Sequence, residues 1–94
     1  MYALHVTFTA TGSADELRAG RRAFAARLPE VRGLHSKTWL QDGSTSGGFY
    51  LFETEDDARA YVASPLFAAL RRFPDLVLRG FAVVDEPART TMAG

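Results

Sequence analysis

A glycine-rich segment near the middle of the chain, DGSTSGG at residues 42–48, lies between two runs of strand-forming residues. Residues 33–42 and 47–54 are rich in aromatic, aliphatic and β-branched side chains, and they are bounded by turn-forming residues. This pattern predicts a β-hairpin, which restricts the fold to one that contains an antiparallel strand pair. The pair of glycines at 47 and 48 is assigned to the turn, since no phosphate-binding motif surrounds it.

The length of the loop decides which side chains of the hairpin meet. A loop of even length, centred on the Ser-Thr pair, places Trp39 opposite Tyr50 and Lys37 opposite Phe52, all on one face of the sheet. A loop of odd length places Phe49 opposite Trp39 instead. The sequence leaves both possibilities open.

A strand and a helix are predicted before the hairpin. Residues 2–9 alternate between two faces, which is typical of a strand. Ser13 and Glu16 form a capping box at the start of a helix, and Pro29 ends that helix. The helix carries apolar side chains at helical spacing, namely Leu17, Phe24 and Leu28.

Helical segments and a last strand are predicted after the hairpin. Thr54 caps a helix with an acidic first turn, and Ser64 followed by Pro65 begins another. Residues 75–84 read as the last strand, and residues 85–94 as a C-terminal tail.

The order strand, helix, strand, strand, helix, strand predicts one α+β domain over residues 1–84. It fits the ferredoxin-like βαββαβ arrangement, in which a four-stranded antiparallel sheet carries helices on one face. The other face would expose either the row with His5 and Thr7 or the row with Leu4 and Val6. We expect a second subunit to cover it, because a domain of this size buries only a modest share of its surface alone.

Composition excludes several classes of function. The 94 residues carry a formal net charge of zero, which argues against a nucleic-acid partner. The absence of cysteine excludes disulfides and thiolate chemistry, and no apolar run suits a signal peptide or a membrane span. The arginine pairs at 21–22 and 71–72 are predicted to be solvated helix faces. A single lysine among ten arginines suggests a GC-rich bacterial source, and we expect a cytoplasmic protein.

Several motifs resemble those of the ydhR-type mono-oxygenase family. They are LHVTF in the first strand, GLxxKxWLxD and GGxYLF across the hairpin, ARAYVASPLFAAL in the helical region, and the closing FxVxxEP. The resemblance covers nearly the whole chain. It implies a dimeric α+β barrel, in which two ferredoxin-like subunits join their sheets and a ligand lies between the sheet and the helices of each.

Better-characterised relatives in that superfamily limit what the resemblance implies. The haem-degrading mono-oxygenases use an Asn–Trp–His set, whereas this chain contains no Asn. Tyr61 and Arg71 stand where the Trp and the His would be, so haem degradation is not expected and both become candidate substrate-binding residues. The cofactor-independent antibiotic-biosynthesis mono-oxygenases also tend to use an Asn, so their mechanism does not transfer residue by residue.

Cofactor-independent oxygenation requires an electron-rich substrate, a base, a group that stabilises the substrate anion, and an apolar pocket. Lys37 is the candidate cation, and His35 or His5 is the candidate base. The candidate substrate-binding residues, with those implied by the resemblance, are Trp39, Tyr50, Phe52, Tyr61, Arg71 and Arg79.

Each of these residues also has a structural interpretation. Trp39 and Tyr50 could form an ordinary cross-strand pair. Lys37 could bridge across the dimer to a carboxylate such as Glu53 or Asp85. Arg79 could pair with a carboxylate rather than with an anionic substrate.

We therefore predict a homodimeric, cofactor-independent mono-oxygenase that acts on a small aromatic or polyketide-like molecule. The prediction includes no metal and no cofactor. The alternatives are an acid–base cyclase or isomerase of a biosynthetic pathway, and a non-catalytic dimer that binds a metabolite.

Overall fold

The computed structural model describes residues 1–84 and confirms the ferredoxin-like α+β fold. Its four strands form one antiparallel sheet in the order β2-β3-β1-β4. Residues 85–94, predicted as a tail, lie outside the described part of the chain. The elements are β1 Tyr2–Thr9, α1 Ala14–Arg27, β2 Leu34–Asp42, β3 Thr45–Phe52, α2 Glu55–Val62, α3 Pro65–Ala68 and β4 Val77–Ala82, with 3₁₀ turns at Leu28–Glu30 and Ala69–Arg72.

The helices begin at the predicted capping residues. The Ser13 hydroxyl accepts a hydrogen bond from the Glu16 backbone N–H at 3.1 Å. Thr54 does the same for the third residue of α2 at 3.1 Å, and Ser64 for the third residue of α3 at 3.3 Å. Each of these bonds satisfies a backbone donor that has no partner inside its helix.

The predicted hairpin is present, but its predicted residue pairs are wrong. The turn contains only two residues, because Asp42 already pairs with Thr45. Lys37 therefore lies opposite Tyr50, and Trp39 lies opposite Gly48. The true register differs from the predicted one by two positions, which preserves the face of every side chain.

Gly47 and Gly48 lie inside β3 and not in the turn, which corrects the assignment made from sequence. A Cβ atom at Gly47 would lie 1.9 Å from the carbonyl oxygen of Val6 on the neighbouring strand. A Cβ atom at Gly48 would lie 2.7 Å from Cε of Lys37. The first glycine is needed for close packing of two strands, and the second leaves space for the lysine side chain.

These contacts predict unequal effects of alanine at the two glycines. Gly47→Ala lowers the free energy of unfolding by about 2–3 kcal/mol, because a backbone atom must move. Gly48→Ala costs about 1 kcal/mol, since the flexible lysine stem can rotate away. Urea denaturation of both variants measures the difference, and equal losses would contradict this account of the two positions.

The structure shows which face of the sheet packs against the helices. The row with Leu4 and Val6 faces the helices and is almost fully buried. The row with His5 and Thr7 faces away from them, together with Phe49 of β3. The core beneath the helices contains Leu4, Val6, Phe24, Tyr50, Phe52, Ala58, Tyr61 and Phe67.

Candidate functional site

A cavity of about 310 Å³ lies between α1, the sheet and the segment that follows α3. Helix α1 buries only one residue, Phe24, so most of this helix is held away from the sheet. The stacked rings of Phe8 and Phe73, with centroids 4.6 Å apart, form part of the wall. The lining is mainly apolar, and it also includes Leu17, Gly20, Trp39, Leu66 and Leu70. This location matches the ligand position that the resemblance implies.

Lys37 lies among aromatic rings at the sheet side of this cavity. Its Nζ is 3.4 Å from the ring centroid of Trp39, 4.4 Å from that of Phe24 and 4.7 Å from that of Tyr50. Trp39 and Phe24 both line the cavity and contact each other edge to face at 6.0 Å. Seen from the cavity, the amine therefore lies behind the rings of Trp39 and Phe24.

The environment of Lys37 favours its neutral form. Burial lowers the pKa of the amine from 10.5 to about 7, because the charged form loses hydration. Attraction between the ammonium and the ring faces acts in the opposite direction, but it contributes only about 0.5–2 kcal/mol, equal to at most about 1.5 pKa units. Burial is the larger effect, so a substantial fraction of the amine is neutral slightly above neutral pH.

Lys37 has no carboxylate partner within residues 1–84. Within one chain, Glu53 pairs with His35 and not with Lys37, and a bridge across a dimer stays a prediction. The alternative partner, Asp85, lies outside the described residues. An amine that is surrounded by aromatic rings and has no counter-ion among residues 1–84 is suited to proton transfer.

Tyr50 and Tyr61 form a buried pair of phenols beside the lysine. Their side chains are almost fully buried, and the Tyr61 hydroxyl donates a hydrogen bond to the Tyr50 hydroxyl at 2.7 Å. Burial raises the pKa of Tyr50 to about 12, although the bond from Tyr61 opposes this. Burial also raises the pKa of Tyr61, and the charge and hydrogen bond of Tyr50 raise it further. Both phenols stay protonated at physiological pH, with Tyr61 as the donor and Tyr50 as the acceptor of the bond between them.

Loss of this bond has a measurable cost. Tyr61→Phe lowers the free energy of unfolding by about 1–3 kcal/mol, because the Tyr50 hydroxyl loses its partner in a buried site. Tyr2→Phe is the matched control, since it removes a hydroxyl from a partly buried tyrosine outside the pair and should cost less. Thermal unfolding of both variants measures this, and an unchanged melting temperature in Tyr61→Phe would contradict the assigned bond.

His35 does not join Lys37. An irregularity between Leu34 and Ser36 interrupts the regular alternation of β2. As a result His35 is exposed, and its Nε2 contacts the carboxylate of Glu53. The even spacing of positions 35, 37 and 39 suggested a shared face, but the structure does not bring His35 to the cavity.

The other sequence candidates divide between core and surface. His5 and Arg79 are cross-strand neighbours on the open face, where the Arg79 guanidinium lies 4.9 Å from the ring centroid of Phe81. Phe52 is completely buried in the core. The Arg71 guanidinium lies 5.1 Å from the ring centroid of Phe67, on an exposed side chain outside the cavity lining.

Several cavity residues were missed from sequence. Phe24, the one buried residue of α1, was interpreted as an ordinary member of a helix face. Gly20 was interpreted as allowing the helix to approach the sheet closely, whereas it lines the cavity. Arg21 and Arg72 were assigned to solvated helix faces, and they are exposed, but both also line the cavity. The sequence signal for the α1 side of the cavity is the helical spacing of Leu17, Gly20 and Phe24, which marks the face of this helix that borders it.

A second cavity of about 230 Å³ lies on the other side of Leu66, near Tyr61 and the ion pair of Arg32 with Asp57. Within residues 1–84, no three metal-ligating side chains come together. No helix in that part of the chain is long and apolar enough to span a membrane.

Comparison with known proteins identifies the family. The family model described as "Putative mono-oxygenase ydhR" matches residues 3–93. The chain belongs to this family. No curated protein matches it significantly.

Solved structures share the fold at low sequence identity. The protein of unknown function NE2512 from Nitrosomonas europaea is 22% identical, with a TM-score of 0.75 over 99% of this chain and 95% of that one. A Deinococcus radiodurans protein described as a "putative antibiotic biosynthesis monooxygenase" is 16% identical, with a TM-score of 0.77 over the whole of both chains. SnoaB, a cofactor-independent oxygenase from Streptomyces nogalater, is 20% identical, with a TM-score of 0.72 over 99% of this chain and 97% of that one.

Proposed function

We propose that the chain is a cofactor-independent mono-oxygenase that acts on small aromatic or polyketide-like molecules. The observation that carries the proposal is the amine of Lys37 packed against Trp39 and Phe24, two rings that line an apolar cavity of about 310 Å³. Membership of a mono-oxygenase family and the shared fold with a cofactor-independent oxygenase support it.

In this proposal Lys37 is the base. His5 lies on the opposite face of the sheet and His35 pairs with Glu53. Lys37 does not itself line the cavity, but its amine packs against Trp39 and Phe24, which do. We therefore assign the role of base to the lysine and expect a substrate to reach it by displacing one of these rings. A partly neutral amine can remove a proton from an electron-rich phenol or an activated methylene group. Once protonated, the same group stabilises the substrate anion electrostatically.

The reaction balances without a cofactor. For anthrone, removal of a proton by Lys37 gives a carbanion that donates electrons to O₂ and forms a carbon–oxygen bond. The peroxide then breaks its O–O bond, the CH₂ carbon becomes C=O, and the second oxygen atom leaves as water with the two hydrogens. Lys37 returns its proton to the departing oxygen, so the amine is restored at the end of each cycle.

Oxygen consumption tests the proposed activity. The purified protein is incubated with anthrone or with 1,4-naphthohydroquinone in an oxygen-electrode cell, and quinone formation is followed by absorbance. We expect consumption above the spontaneous rate, with one O₂ used for each anthraquinone formed. No acceleration across a panel of such phenols and anthrones would contradict the proposal.

A second candidate activity uses the same lysine. The lowered pKa of Lys37 also suits an acid–base cyclase or isomerase, in which the proton returns to another atom of the substrate. Oxygen separates the two candidates, since an isomerase turns over unchanged under argon. Binding without turnover in either atmosphere would favour a non-catalytic metabolite-binding protein.

We also propose that two copies pair through the open face of the sheet. Three apolar side chains of this face are unusually exposed, namely Phe49 at 42%, Val77 at 56% and Phe81 at 42%. Large apolar side chains exposed on one face of a sheet are typical of a protein–protein contact. The cytoplasmic location and bacterial source suggested by composition stay predictions.

A further inference from the structure

The cavity has a positive rim without a matching negative group. Three arginines, Arg21, Arg27 and Arg72, contribute to its lining, and no aspartate or glutamate does so within residues 1–84. The chain as a whole has equal numbers of acidic and basic residues. The excess of positive charge is therefore a local property of this cavity.

Two of the three guanidiniums are available to a ligand. Arg27 already pairs with Glu30, at 2.7 Å between Nε and Oε2. Arg21 and Arg72 have no carboxylate within 4.0 Å in the described part of the chain. Other arginines on the surface do find acidic partners, as Arg59 does with Glu55.

Arg72 extends from the turn after α3 toward helix α1. Its Nη2 lies 3.9 Å from the position that a Cβ atom at Gly20 would occupy. Its guanidinium also lies 4.7 Å from the ring centroid of Phe73, which limits how freely the side chain moves. The absence of a side chain at Gly20 thus leaves open space beside the guanidinium of Arg72. Arg21 is the next residue of α1.

We propose that this cavity selects aromatic acids, with the ring system in the apolar interior and a carboxylate between Arg72 and Arg21. A planar guanidinium matches the geometry of a carboxylate and can bind it through two parallel hydrogen bonds. With the carboxylate at the arginines, the far end of the ring points toward Trp39 and Phe24, the two lining rings against which Lys37 packs. This inference rests on the proposed function, because it assigns the substrate class of the same cavity.

Binding of an acid and its neutral analogue tests the proposal. The probes are 2-naphthoate and 2-naphthamide, which share ring and shape but differ in charge. Trp39 is the only tryptophan, so its indole N–H gives one NMR signal that reports on the cavity wall. We expect the acid to bind at least about 10-fold more tightly than the amide at pH 7.5 and low salt.

Substitution of each arginine identifies the group responsible. Arg72→Gln and Arg21→Gln should each reduce acid binding about 10-fold and leave amide binding unchanged. Arg22→Gln is the matched control, since Arg22 neighbours Arg21 on α1 but does not line the cavity. Circular dichroism confirms that each variant is folded, and the two independent variants keep the test valid if one is unstable.

The outcomes separate this inference from the proposed function. Equal binding of acid and amide, or an acid preference that survives both substitutions, would overturn the assignment of aromatic acids and leave the cavity intact. Binding of neither probe at millimolar concentration would overturn both proposals. Oxygenation of neutral substrates as efficiently as of acids would overturn only the preference for acids.

Discussion

Lys37→Met should lower kcat/KM for anthrone-type substrates by about 10²–10⁴-fold, the usual range for loss of a general base. Methionine has similar length and fills the slot between Trp39, Tyr50 and Gly48 without an ionisable group. Oxygen uptake and quinone absorbance measure the effect. Activity within a factor of three of the parent protein would exclude the lysine as the base.

Lys37→Arg is the control that separates the two possible roles of the amine. Arginine keeps the positive charge but cannot lose its proton in proteins. A variant that recovers most of the activity would show that a cation suffices, whereas a variant as inactive as Lys37→Met supports the role of base.

Stability supplies a second control for the same substitution. The pKa of Lys37 is lower in the folded chain than in the unfolded chain, so the unfolded chain binds more protons between about pH 7 and 10.5. The resulting penalty on folding is complete below pH 7 and disappears as the pH rises toward 10.5. Because the side chain retains some solvent contact, we expect Lys37→Met to be more stable at pH 6 by only about 1–3 kcal/mol.

A double substitution on the open face, Phe49→Asp with Phe81→Asp, should convert a dimer to monomers. Each phenylalanine contributes about 1.5–3 kcal/mol when buried, and a twofold contact loses both copies of each side chain. The dissociation constant should therefore rise at least about 10³-fold, which sedimentation-velocity ultracentrifugation at micromolar concentrations can detect.

The control for this test is Val84→Asp, which adds the same charge at a highly exposed apolar side chain beyond β4. It should leave the molar mass unchanged. A parent protein that sediments as a monomer at every concentration, or a double variant that stays dimeric, would rule out pairing through this face.

Local signals predicted much of the fold because they act over a few residues. Ser13, Thr54 and Ser64 were recognised as caps, since each bonds a backbone N–H three residues away. The alternation in residues 2–9 predicted β1, and the position of the turn predicted the hairpin. The order of these elements was then sufficient for the ferredoxin-like topology.

Features that depend on contacts across the fold were not predictable in the same way. The exact pairing of β2 with β3 depends on whether Thr45 and Ser46 belong to the turn or to the strand, and both residues suit either. The irregularity in strand pairing beside His35 cannot be recognised from the alternation of residues in the sequence. Hydrophobic periodicity therefore predicted which face of the hairpin carries Lys37, but it did not predict that His35 is exposed and contacts Glu53.

The site itself combines two residues that stood out in sequence with others that did not. Lys37 was conspicuous as the single lysine, and Trp39 as the single tryptophan. Phe24 looked like an ordinary core residue of α1, yet its ring lies 4.4 Å from the lysine Nζ. The third ring that desolvates the amine is thus supplied by tertiary packing, which local sequence does not encode.

The most direct test of the account is the titration of Lys37 by NMR. Because the chain has one lysine, protein labelled with ¹³C-lysine gives a single Cε signal that follows the protonation of this amine. We predict an inflection between about pH 7 and 8.5, with kcat/KM rising over the same range. An inflection near the ordinary value of about 10.4 would show a solvated ammonium and would contradict a base at the cavity wall.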